Sequence, residues 1–244
     1  MSPTTTQATT ARAKRYYDDF SSHYDDGRDR GYHALVDDLE MSILEPYARG
    51  RRVLEAGCGT GLLLSRIERV ASQAVGVDLS PGMLARARDR GLTVVHGSIT
   101  ALPFADASFD TVCSFKVLAH VPDIDRALAE LARVTRPGGH LVLEFYNRFS
   151  LRYLARAVAG ARRIGAAHKE SDIPTRWDTP RAIVRRLPPE LRVIDVRGVR
   201  VVTPAAAVHR IAGLSTIVGA AERLAVSSPL RWFGGFLVLV LSRA

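Results

Sequence analysis

The densest chemical signal in this 244-residue sequence is Val53-Leu54-Glu55-Ala56-Gly57-Cys58-Gly59-Thr60-Gly61. Glycines at alternate positions let a backbone turn sharply and approach a ligand with no Cβ in the way. The apolar run Arg51–Ala56 reads as a strand and Gly61–Val70 as a helix, so the loop lies where α/β proteins hold nucleotides. Its spacing is Gly-x-Gly-x-Gly, whereas dinucleotide phosphate loops prefer Gly-x-Gly-x-x-Gly. Glu55 just ahead of it disfavours a bound pyrophosphate and tolerates a cationic amino acid–nucleoside without phosphates. The next apolar run, Ala74–Asp78, ends in a carboxylate near the spacing at which an acid takes a ribose diol through two hydrogen bonds. His120, in Leu118-Ala119-His120-Val121-Pro122, is a side chain suited to general-base work near neutral pH. Tyr146 and Asn147, at the end of a later apolar run, and His23 and His33 upstream are further polar candidates.

These residues need elements to hold them. Residues from about Tyr16 to Tyr47 read as helix, with Leu35, Leu39 and Ile43 at helical spacing. Short apolar runs then alternate with helical segments. Ser80 opens a helix with Pro81 at its first position; Leu92–His96 and Phe109–Phe115 are strands. Asp123 is an N-cap ahead of the apolar face Ile124, Ala127, Leu128, Leu131. Arg136-Pro137-Gly138-Gly139 ends that helix before the strand His140–Tyr146. The rhythm predicts an α/β fold, a parallel sheet covered on both faces. Leu191–Val202 and Phe233–Leu241 follow as late strands. The Thr-rich stretch 1–15 reads as a disordered tail, and 16–244 as one domain with an N-terminal helical lid (16–50) and an insertion after the fifth strand (147–190).

In the order and spacing of its motifs, the stretch from about Tyr16 to Phe145 strongly resembles the class I S-adenosylmethionine-dependent methyltransferases, especially the small-molecule branch that includes the ubiquinone and menaquinone biosynthesis enzymes. The motifs are the glycine loop at 53–61, Gly-Val-Asp-Leu-Ser at 76–80, Leu-Pro-Phe at 102–104, Phe-Asp-Thr-Val at 109–112 and Arg-Pro-Gly-Gly at 136–139. The resemblance implies a Rossmann-like seven-stranded, mostly parallel sheet with its last strand antiparallel. It implies S-adenosyl-L-methionine as cofactor, with Gly57 and Gly59 under the methionine portion, Asp78 on the ribose, and Leu79 and Met83 beside the adenine. Ser98, next to Ile99, stands where the family normally has an Asp that bonds the adenine amino group. Phe115 and Lys116 approach the cofactor through backbone atoms, and Tyr16, Tyr17 and Tyr24 form a lid near its methionine end.

Charge and composition bound the rest. Cys58 and Cys113 have neither the number nor the spacing of a disulfide framework or a zinc site, so no metal is expected. The polar N-terminus lacks a signal peptide's apolar run, which points to a cytoplasmic protein. The stretch Trp232–Leu241 is too short to cross a bilayer. Between 147 and 190, ten basic side chains stand against four acidic ones, +6 of the formal +9. Arg148, Arg152 and Arg156 fall on one helical face there, which suits either a lipophilic or anionic substrate or a peripheral membrane contact. The sequence carries no Asn-Pro-Pro-Tyr-like base-flipping motif, so a small-molecule acceptor is expected rather than nucleic acid. A nicotinamide-dependent oxidoreductase and a catalytically inactive cofactor-binding partner protein are the competing readings. Glu55, the glycine spacing and the Arg-Pro-Gly-Gly turn oppose the first; only Ser98 supports the second.

Overall fold

A computed structural model describes residues 3–28, 30–154, 163–164, 168–169, 175–203, 206–211 and 213–244. Two helices, α1 (Pro3–Phe20) and α2 (Gly31–Ala48), come first. Next alternate β1 (Arg52–Ala56), α3 (Leu64–Glu68), β2 (Gln73–Asp78), α4 (Pro81–Asp89), β3 (Val94–His96), β4 (Phe109–Ser114), α5 (Ile124–Val134) and β5 (Thr135–Tyr146). A small antiparallel pair, β6 (Arg163–Ile164) and β7 (His168–Lys169), precedes the helix Pro180–Arg186. The chain ends with β8 (Leu191–Val199), the helix Leu214–Ala225 and β9 (Phe236–Arg243).

Seven strands make the main sheet in the order β3-β2-β1-β4-β5-β9-β8. The first five are parallel, and β9 runs antiparallel to both of its neighbours. This is the Rossmann-like α/β sheet expected, last strand antiparallel included. Alternation along the strands sends two apolar sets to opposite faces. On β9, Phe236, Val238 and Val240 join the core beneath α2 and α3, while Leu237, Leu239 and Leu241 join the core beneath α5. Leu239 is almost wholly buried; truncating such a leucine to alanine costs about 2–5 kcal/mol. The predicted caps are in place: the Ser80 side chain accepts from the Met83 amide at 3.1 Å, and Asp123 from that of Arg126 at 3.2 Å.

Three expectations need correction. The stretch read as a disordered tail is helical from Pro3. A short Thr-rich segment has little helical stability of its own; α1 gains it by docking on α4, where Asp18 meets Ser80 and Gly82. The single helix read over Tyr16–Tyr47 is broken by turns across 21–28, and the signal was present, since Asp25-Asp26-Gly27 is turn chemistry. The strand after α5 begins at Thr135 instead of His140. The Arg-Pro-Gly-Gly stretch shifts register there, Phe109 facing Thr135 and Thr111 facing His140.

Arg156, Pro174 and most of the middle of the insertion lie outside the described residues; the chain is helical over 151–154. Among the described residues no helix is long and apolar enough to cross a membrane.

Candidate functional site

Strand order reverses between β1 and β4, so the loops leaving their carboxyl ends diverge and open a crevice. Four such loops converge there. Gly57 and Gly59 follow β1, Asp78 and Leu79 close β2, Gly97, Ser98 and Ile99 follow β3, and Phe115, Lys116 and His120 follow β4. They line one cavity of about 200 Å³, roofed by Tyr17 and Tyr24 of the N-terminal segment. Met83, at the start of α4, completes the wall.

Two of the loop's glycines shape the floor of the cavity. Gly57 has φ +83°, and a Cβ there would run into the Val117 side chain. Gly59 has φ +54°, and its amide donates to Asp78 Oδ2 at 2.9 Å. The other Asp78 oxygen accepts from the Ser80 amide at 2.9 Å. The carboxylate is thus aimed by two amides and keeps acceptor capacity on both oxygens. Burial raises its pKa, and the hydrogen bonds oppose that rise.

Ser98, Ile99, Leu79, Met83, Phe115 and Lys116 all line this cavity. The Ser98 hydroxyl lies 2.8 Å from that of Thr100 and accepts from the Thr100 amide at 3.2 Å, so its geometry is set locally. Tyr24 lines the cavity, but Tyr16 does not; Tyr17 takes that place, and Tyr16 faces a second cavity. Adjacent helical residues point about 100° apart, and no sequence signal separated these two. Glu55 lies beneath the loop, facing a small recess shared with Gly57, Gly59 and Lys116. It is buried, its Oε2 has no hydrogen-bond partner, and burial pushes its carboxyl well up.

Lys116 does more than present its backbone. It holds φ +59°, its amide donates to Glu144 at 3.1 Å, and its ammonium lies 2.8 Å from Asp37 and 2.9 Å from Glu40. Burial pushes the lysine pKa down, yet Glu40, Asp37 and Glu144 outweigh it and keep the ammonium charged. Burial in turn drives the Glu40 and Glu144 carboxyls up. One partly buried cation therefore compensates the buried acids Glu40 and Glu144 and the partly buried Asp37 at the wall of the site.

The N-terminal segment is latched over the crevice by two aspartates absent from the sequence expectations. Asp18 accepts from the Ser80 hydroxyl at 2.5 Å and the Gly82 amide at 3.1 Å. Burial alone would raise its pKa, but hydrogen bonds from Ser80, Lys14 and Gly82 hold it below the usual range. Asp25 accepts from Thr60, inside the glycine loop, at 2.6 Å and pairs with Arg90 at 2.5 Å.

Beside the first cavity lies a second of about 380 Å³. Tyr17, Tyr24, Lys116 and His120 line both, so they stand at the boundary. Tyr146, Tyr32, Phe236, His23, His33, Arg28, Arg152 and Arg200 line the second cavity and not the first. His120 rides on a 3₁₀ turn, Leu118–His120, whose Leu118 carbonyl accepts from Arg176 at 2.7 Å. Its ring stacks edge-on against Tyr146, centroids 5.6 Å apart. Burial raises the Tyr146 phenol pKa, so it stays protonated and is not a base. His33 is uncharged at neutral pH, its pKa lowered to about 4 first by burial and then by Arg28 and Lys116. Asn147 does not face the crevice. It is buried, donating to the Trp232 and Gly234 carbonyls and accepting from the Phe149 amide, which fixes the chain as it leaves β5. A side chain one residue past Tyr146 points away from it, by strand alternation.

Sheet order and the glycine loop define a Rossmann-like α/β fold. Residues 54–143 match the family of the methyltransferase domain. The chain is 34% identical over 145 residues to a ubiquinone biosynthesis O-methyltransferase of Methylococcus capsulatus, covering 56% of this chain and 60% of that protein. It is 38% identical over 144 residues to a demethylmenaquinone methyltransferase of Thermobifida fusca, covering 55% and 61% respectively. The chain thus spans about three-fifths of the length of these curated relatives. A solved structure from Thermotoga maritima, described as a possible histamine N-methyltransferase, superposes with a TM-score of 0.67 at 18% identity. It covers 95% of this chain and 99% of that one and shares the fold.

Proposed function

We propose that this chain transfers the methyl group of S-adenosylmethionine to a small-molecule acceptor held in the second cavity. The observation that carries the reading is the shared wall of Tyr17, Tyr24, Lys116 and His120 between the crevice at the strand ends and an aromatic cavity. The fit to the cofactor rests on this chain's own groups. Asp78 offers two aimed acceptor oxygens to a diol. Gly57 and Gly59 leave the floor bare, and the orphaned oxygen of buried Glu55 suits an ammonium.

Bound S-adenosylmethionine supplies a sulfonium methyl carbon open to in-line attack, the carbon–sulfur bond breaking as the acceptor–carbon bond forms. The protein's part is positioning, which supplies much of the acceleration in such a displacement. His120, on the boundary, is the group placed to take the acceptor's proton. Asp18 and Asp25 hold the N-terminal segment closed and keep water from the reacting atoms.

Incubation with methyl-tritiated S-adenosylmethionine and a panel of phenols, catechols and amines tests the reading. Label transferred to any acceptor supports it. Failure to bind the nucleoside at all removes it.

A further inference from the structure

Two segments of the chain meet at the end of the sheet that carries both cavities. β5 and β8 run toward that end and β9 starts from it. Asn147 joins the segment leaving β5 to the one entering β9, its side chain donating to the Trp232 and Gly234 carbonyls at 2.7 and 2.9 Å. Arg152, expected on an outward basic face, instead turns inward over the rings of Tyr146, Phe236 and Trp177. The outward positions fall to Phe149, Leu151 and Leu154, the first and last of them 58% and 60% exposed. Across Asn147, the 3₁₀ turn Pro229–Phe233 exposes Leu230, Trp232 and Phe233, the last at 52%. Six large apolar side chains left in water on adjoining turns mark a surface that something covers.

The charge around these side chains says what covers them. Residues 147–154 contain no acid, and the chain from Gly198 to its end contains one acidic side chain, Glu222. Glu222 is wholly buried, accepting from the Val201, Val202 and Thr203 amides. Arg148, Arg210 and Arg223 in these segments are exposed, Arg223 reaching Asp38 at 3.8 Å. Arg231 stands over the Trp232 ring at 5.6 Å. A second copy docked face to face would set these arginines against themselves, because a two-fold contact uses the same surface twice. Tryptophan and phenylalanine suit the boundary between headgroups and acyl chains, and arginine stems lie along apolar surface while their guanidiniums reach phosphate.

We infer that residues 149–154 and the turn Pro229–Phe233 form a docking face for an anionic lipid bilayer. The apolar side chains enter the headgroup–acyl boundary, and the arginines meet lipid phosphates. Arg152 and Phe236, which line the second cavity, belong to the same two segments, so docking brings that cavity to the membrane. The face does not depend on which reaction the cavities serve.

Co-sedimentation of the full chain with vesicles tests the face, using phosphatidylcholine alone and phosphatidylcholine mixed with phosphatidylglycerol. Binding to the anionic vesicles is expected, roughly tenfold or more tighter than to the neutral ones. Phe149→Gln/Phe233→Gln is expected to weaken it by roughly tenfold or more while S-adenosylhomocysteine affinity stays unchanged. No binding to anionic vesicles, equal binding to both lipids, or undiminished binding by the double variant would each overturn the inference. So would a dimer in solution that the double variant abolishes, since a second copy would then occupy the face. Should the double variant misfold, fluorescence of the unaltered protein still decides. Brominated lipid should quench Trp232 emission, a signal lost in Trp232→Phe; its absence in the unaltered protein leaves this face in water and overturns the inference. Loss of nucleoside binding alone, with vesicle binding intact, counts against the methyl-transfer reading and not against the face.

Discussion

Asp78 Oδ2 and the Gly59 amide, nineteen residues apart in sequence, are joined by a hydrogen bond of 2.9 Å. The bond ties the glycine loop after β1 to the end of β2, so one carboxylate both shapes the loop and faces the cavity. Asp78→Ala should weaken S-adenosylhomocysteine binding by roughly 10- to 100-fold, the loss of one charge-assisted hydrogen bond at about 1.5–3 kcal/mol. Asp78→Asn keeps the shape but loses charge, and it should fall between. Unchanged affinity in both variants, measured by calorimetry, would remove Asp78 from the site.

The Asp18 latch carries a pH dependence. Its folded pKa is depressed, so its contribution is present above the ordinary Asp value of about 3.9 and is lost as pH falls through the lower folded value. From pH 5 to 8 the latch should be constant. Asp18→Ala should raise protease cleavage within residues 3–28 at neutral pH, with wild type approaching the variant only in strong acid. Equal cleavage at pH 7 would show that Asp18 does not hold the segment.

Lys116→Met removes the cation from beneath a group of buried acids. Breaking a buried ion pair from one side typically costs about 3–5 kcal/mol. Because burial already raises Glu40 and Glu144, protonation relieves part of this, and the loss should shrink as pH is lowered. Urea unfolding at pH 8 and pH 5.5 reads the difference directly. A loss that is equal at both pH values contradicts the charge account.

His120→Ala separates proton transfer from scaffolding. A general base contributes typically 10²–10⁴-fold. Turnover should fall within that range while nucleoside affinity stays the same. Tyr146→Phe should cost far less, because the buried phenol is protonated throughout the neutral range. Full activity of His120→Ala with an identified acceptor reduces the residue to a brace for its turn.

Much of the candidate crevice was legible in the sequence because it is built from consecutive residues at strand ends. The motif order places Gly57, Gly59, Asp78, Ser98 and Phe115 on adjacent loops once the sheet is parallel. The caps Ser80 and Asp123 are likewise local. What escaped notice depends on distance in the chain. Asp18 reaches Ser80 across 62 residues, and Lys116 reaches Asp37 across 79. Both acids look like ordinary helix-surface charges when read along α1 and α2. The choice of Tyr17 over Tyr16 is set by how α1 rotates when it docks, and Arg200 is drawn to the second cavity by a backbone conformation with no sequence signature. The helical N-terminal stretch was missed because its stability comes from α4 and not from its own residues.

Calorimetric titration with S-adenosylmethionine and S-adenosylhomocysteine, against NADH and NADPH as controls, tests the central claim most directly. The account predicts saturable one-to-one binding of the two sulfur nucleosides, lost or sharply weakened in Asp78→Ala, and no binding of either nicotinamide. Saturable binding of a nicotinamide cofactor, or of neither kind, would contradict it.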